Sequence, residues 1–148
     1  MIKLPPRDEH GKVIPHDHRE IRNTDEVIRR ISDLQTAPDR NGRRRISSKA
    51  YKDAARKSGM SVDLKQLIEK AGLDPETYVT SPRWIGSVLF RVSELRQENF
   101  KVGYDPVGPP DPNPYHGEVW CDFSGNQAAQ KLKRLAKWFV PIPHVNLI

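Results

Sequence analysis

Apolar positions along the chain fall into short periodic clusters, separated by breaks rich in proline and glycine. Val27, Ile28, Ile31 and Leu34 recur at helical spacing, and Asn23 with Glu26 supplies a capping box, so a helix is predicted from Thr24. Arg43 to Ser47 reads as a short strand around Ile46, and Ser47 to Gly59 is ambiguous. Ser61 is expected to cap a second helix whose buried stripe is Leu64, Leu67, Ile68 and Ala71, with Gly72 at its left-handed end. Asp74-Pro75 reads as the cap and first position of another short helix. Trp84 to Val92 alternates as a strand, Ser93 to Asn99 suits a short helix, and Phe100 to Tyr104 is a second alternating strand. Five prolines between Pro106 and Pro114 require an extended loop. Tyr115 to Phe123 is a third strand of this group. Ser124 and Gln127 open a final helix with the stripe Leu132, Leu135, Ala136 and Phe139, stopped by Pro141 and Pro143.

The predicted fold class is α+β, a small mostly antiparallel or mixed sheet packed by about three to four helices. Residues 1–22 read as an N-terminal arm broken by Pro5, Pro6, Gly11 and Pro15, and residues 23–148 as one domain. No run of apolar residues reaches the length of a membrane span, so no membrane partner is expected. Cys121 is the only cysteine, which excludes a disulfide scaffold and makes a reducing cytoplasm the expected compartment. The N-terminus lacks the pattern of a signal peptide. Phosphate-loop, dinucleotide, serine-hydrolase and zinc-protease signatures are all absent, and no cofactor is expected.

Charge changes the picture more than composition does. The net charge is +6, and Asp39 to Lys57 carries eight basic side chains against two acidic ones, so the rest of the chain is balanced. Arg40, Arg43, Arg44, Arg45, Lys49 and Lys52 are candidate contacts to nucleic acid or another polyanion, because clustered guanidinium and ammonium groups release counterions on binding phosphates. Tyr51 is a candidate stacking partner for a base. The competing reading is a solvated face with Arg45 paired to an acidic neighbour.

Three stretches carry a resemblance. Arg44-Arg45-Ile46-Ser47-Ser48-Lys49-Ala50-Tyr51, Met60-Ser61-Val62-Asp63-Leu64 and Asn113-Pro114-Tyr115-His116-Gly117-Glu118-Val119-Trp120 resemble a family of small bacterial proteins of uncharacterised activity. The similarity spans Arg43 to Val140 and implies a bacterial, cytoplasmic origin, with no assigned catalytic residues.

Two further constellations offer chemistry. His116 and Glu118 stand two apart in a predicted strand, so they share a face and can act as an acid/base pair or simply line a solvated surface. His10, His16, Asp17 and His18 match no metal-site spacing; they are expected to be local turn and surface groups, and no metal is expected. Cys121 and the tryptophans Trp84, Trp120 and Trp138 are expected to be structural.

Three functions follow from these features. The first is a basic module contacting nucleic acid through residues 40–57. The second is a small hydrolase or transferase for a nucleotide-like substrate, with Arg45 holding the anion and His116 with Glu118 as the acid/base pair. The third is an accessory protein that docks on a protein partner through its proline-rich loop and tails.

Overall fold

The computed structural model describes residues 2–148. Its central strand is the segment expected to be helical. Glu26–Ile31 forms β1, with Val27 and Ile31 buried in the main core and Ile28 in a smaller second core. A strand covered on both faces places apolar side chains at successive positions, and this double burial imitates helical spacing. The β-branched Val27, Ile28 and Ile31 suit that extended state.

The remaining elements are β2 (Thr36–Pro38), β3 (Arg44–Ile46), β4 (Met60–Leu64), α1 (Lys65–Lys70), α2 (Pro75–Val79) and β5 (Gly86–Arg91). They continue with α3 (Val92–Gln97), β6 (Lys101–Tyr104), β7 (His116–Trp120), α4 (Gly125–Leu135), β8 (Lys137–Val140) and β9 (Val145–Asn146). The fold is α+β. Six strands form one sheet in the order β6-β7-β4-β1-β5-β8, with every neighbouring pair antiparallel. A small second sheet, β2-β3-β9, pairs β3 with β9 in parallel.

Two further helices differ from expectation. Ser61 does not cap a helix; it lies within β4, where Met60, Val62 and Leu64 alternate into the main core, and α1 starts only at Lys65. The last helix ends at Leu135 because Ala136 turns extended, and Trp138 and Phe139 then alternate between the two cores on β8. The N-terminal cap of α4 is as expected, with Ser124 Oγ accepting from Gln127 N.

The main core lies between one face of the large sheet and a cover made of α4 and two 3-10 turns, Ser48–Ala50 and Lys52–Ala55. On the other face, α1 and α2 bury Ile28, Ile68 and Val79. The chain before β1 runs beside β6. His18 N donates to Val102 O at 2.9 Å, Val102 N donates to Asp17 Oδ1 at 3.0 Å, and Tyr104 N donates to His16 Nε2 at 3.1 Å. Among the described residues, no helix is long and apolar enough to cross a membrane.

Candidate functional site

Alternation along β7 sends Val119 into the main core and His116 and Glu118 to the opposite face. In register on β4 stand Asp63, opposite His116, and Ser61, opposite Glu118. Gly117 between them allows this close stacking of strands. A Cβ there would come within 2.6 Å of Gly103 O and 2.8 Å of Leu64 Cδ2.

The β6–β7 hairpin closes its neck just beyond Tyr104, and this brings in a residue that the spacing of His116 and Glu118 does not reveal. Asp105 N donates to His116 O at 3.0 Å. His116 Nδ1 in turn lies 2.7 Å from Asp105 O. A carbonyl can only accept, so Nδ1 carries the hydrogen and the neutral ring keeps its lone pair on Nε2. That lone pair faces Glu118 Oε1 at 3.4 Å. One ligand atom from each of Asp105, His116 and Glu118 lies within 4.8 Å of the other two.

Glu118 is only 5% exposed. Ser61 Oγ donates weakly to its Oε1 at 3.4 Å, and its Oε2 has no hydrogen-bond partner. Burial pushes the carboxyl up to about 8; the charge and contact of Asp105 add to this, while Ser61 and Arg29 oppose it. Without an added ion, Glu118 is therefore mostly neutral at pH 7. A second carboxyl group within 4.8 Å favours a proton or a cation at this place.

The site separates two hollows. Glu118 and Asp105 line a cavity of about 910 Å³, walled by Arg7, Lys12, Ile14 and Lys57. His116 lines a second cavity of about 350 Å³, together with Arg29, Arg30, Ser61, Asp63 and Asn113. Arg30 grips Asp63 with two hydrogen bonds of 2.8 and 3.0 Å, and Asn113 donates to the same carboxylate at 2.9 Å. Tyr78 OH donates to Asn113 Oδ1 at 2.8 Å, so the end of the proline loop is tied to both β4 and α2. Arg29 is buried where β1 and β4 part. Its guanidinium donates to Ala50 O and Ser61 O, both at 3.0 Å, with Asp53 at 4.0 Å. Arg45 lines neither cavity, so the expected trio of Arg45, His116 and Glu118 is not assembled.

The basic segment occupies a different surface. It begins with the turn before β3, closed by Asp39, whose Oδ1 accepts from Asn41 N and Arg43 N at 2.8 and 2.9 Å. Arg44 donates to Thr36 Oγ1, which holds its guanidinium against β2. Among the described residues, Arg40, Arg43, Arg44, Arg45, Lys49 and Lys52 form no ion pair, so the expected pairing of Arg45 with an acidic neighbour is absent. Asp53, the other acidic group of the segment, turns to Arg29 and Arg56. Lys133 of α4 joins this surface from far along the chain. Its ammonium is depressed by burial and then by the positive charges of Arg45 and Lys52.

Tyr51 does not present its ring to a base. It is fully buried and packs edge-on against Phe90, 6.1 Å between ring centres. His10 is exposed beside Glu9, as expected of a surface group, but His16 and His18 are engaged in packing. His16 bonds Ile14 O and Tyr104 N, His18 bonds Lys3 O and Glu20 N, and Asp17 holds Arg96. Cys121 is half-buried, and burial pushes its thiol up, away from the reactive thiolate. No protein-family model, curated protein or solved structure matches this chain.

Proposed function

We propose that this chain is a binding module for nucleic acid in a reducing cytoplasm, contacting the phosphate backbone through Arg43, Arg44, Arg45, Lys49, Lys52 and Lys133. One observation carries the reading: these cations form no ion pair with a carboxylate among the described residues, and the ammonium of Lys133, depressed first by burial, is depressed further by the positive charges of Arg45 and Lys52. Like charges gathered without counter-charges cost free energy in the free protein, and a polyanion relieves that cost. Arg45 and Lys52 come from strand and turn, and Lys133 comes from a helix, so a rigid scaffold fixes their spacing. Phosphate contacts of this kind give affinity with little reading of sequence.

Fluorescence anisotropy with labelled single-stranded RNA, single-stranded DNA and duplex DNA tests the proposal across a salt series. Binding is expected to weaken steeply as salt rises. The variant Arg45→Glu/Lys52→Glu/Lys133→Glu is expected to flatten the log–log salt slope by about 0.7–0.9 for each phosphate it no longer neutralises. A folded parent protein that binds none of the three nucleic acids at low salt overturns the reading.

A further inference from the structure

We propose that Asp105, His116 and Glu118 form a binding site for one divalent transition-metal ion, of the manganese or zinc kind, with its open positions facing the cavity beneath the N-terminal arm. This inference stands apart from the basic surface and does not depend on it.

The spacing is the first argument. His116 Nε2 and Glu118 Oε1 are 3.4 Å apart, longer than a good hydrogen bond between nitrogen and oxygen. Two ligands held ~2.1 Å from one ion at a tetrahedral angle stand about 3.4 Å apart. The tautomer is the second. The hydrogen bond from Nδ1 to Asp105 O leaves Nε2 as the ring's only free lone pair, turned to the Glu118 carboxyl, with the Asp105 carboxylate 3.9 Å from Nδ1 at the side of the ring. A metal-binding histidine is commonly oriented in this way, by a carbonyl on its other nitrogen. The third argument is the orphaned oxygen. Glu118 is more than nine-tenths buried, and its Oε2 has no hydrogen-bond partner. Once the carboxyl gives up its proton, a buried oxygen left without a donor is costly, and a cation would satisfy it.

The ligand set narrows the ion. One imidazole with two carboxylates favours borderline to hard divalent ions. A calcium site would be built from oxygen alone, and a site selective for copper(I) would draw on sulfur ligands. Three protein ligands leave at least one position open, and Asp105 and Glu118 both line the larger cavity. Arg7, Lys12 and Lys57 on the same walls favour an anionic or water ligand at that position.

Titration with Mn²⁺, followed by the decline of the free-ion electron paramagnetic resonance signal, tests the site, and Zn²⁺ competition repeats the test with the second metal. About one equivalent is expected to bind. Glu118→Gln and His116→Ala are each expected to weaken binding about tenfold or more. Glu118→Gln matches the neutral acid in shape, so it keeps the test valid if His116→Ala unfolds. A folded parent that takes up neither ion at millimolar concentration overturns the proposal. So does a folded Glu118→Gln variant that binds as the parent does. Nucleic-acid binding measured without added metal is a separate readout, so failure of one proposal is not mistaken for failure of the other.

Discussion

His116 donates through Nδ1 to the main-chain carbonyl of Asp105 at 2.7 Å, and that single bond decides which ring nitrogen faces Glu118. The bond belongs to the neck of the β6–β7 hairpin, so the hairpin that builds the sheet edge also sets the chemistry of the imidazole.

Glu118 sets a pH dependence on the ion-free protein. Its carboxyl titrates at about 8 in the folded chain and near 4.5 when exposed. Between those values the unfolded chain has released a proton that the folded chain still holds, so folding stability falls as pH rises through this window. The fall is about 1.4 kcal/mol per pH unit. Urea denaturation of the parent and of Glu118→Gln at matched pH values checks this. The variant is expected to gain on the parent as pH rises from 5 to 8, and a constant difference between them would sink the prediction.

Gly117 is expected to accept no side chain. An alanine Cβ would press on Gly103 O and on the Leu64 side chain, so either β6 or β4 must move. Gly117→Ala is expected to cost about 1–3 kcal/mol in a chemical melt. A fully stable variant would show that the strands yield freely.

Arg29 is a buried cation held by two main-chain carbonyls and by Asp53. Arg29→Ala leaves Ala50 O and Ser61 O without donors and is expected to destabilise by about 3 kcal/mol or more. Arg29→Met keeps the packing volume and is expected to cost less than Arg29→Ala. Equal costs for the two variants would mean that volume contributes nothing at this position.

Burial, and after it the positive charges of Arg45 and Lys52, depress the ammonium of Lys133. Lys133→Gln is expected to raise stability by a few tenths of a kcal/mol at low salt, with the gain shrinking at high salt as the repulsion is screened. Thermal melts at both ionic strengths measure it, and a gain that is independent of salt would point to something other than charge.

Much of the fold is legible from local pattern. β5, β6 and β7 alternate, the proline loop cannot pair regularly, and Ser124 caps α4 with its own neighbours. β1 misleads because Ile28 serves a second core that exists only once α1 and α2 have folded back. Tyr51 misleads because a short turn among basic residues points its ring inward. The site divides in the same way. His116 and Glu118 are two residues apart and visible as a pair. Asp105 meets them across a hairpin neck, eleven residues from His116. Lys133 reaches Arg45 and Lys52 only through the packing of α4 on the 3-10 turns. Neighbours brought together by tertiary closure leave no period in the chain.

The arm beside β6 has a consequence for how copies of this protein meet. An outermost strand offers a row of free amide and carbonyl groups on which another chain can extend the sheet. Here Val102 O and the amides of Val102 and Tyr104 are already taken by His18, Asp17 and His16. Detaching this stretch would uncover a template for sheet-to-sheet pairing at that border, so residues 16–18 act as a cover over the outermost strand.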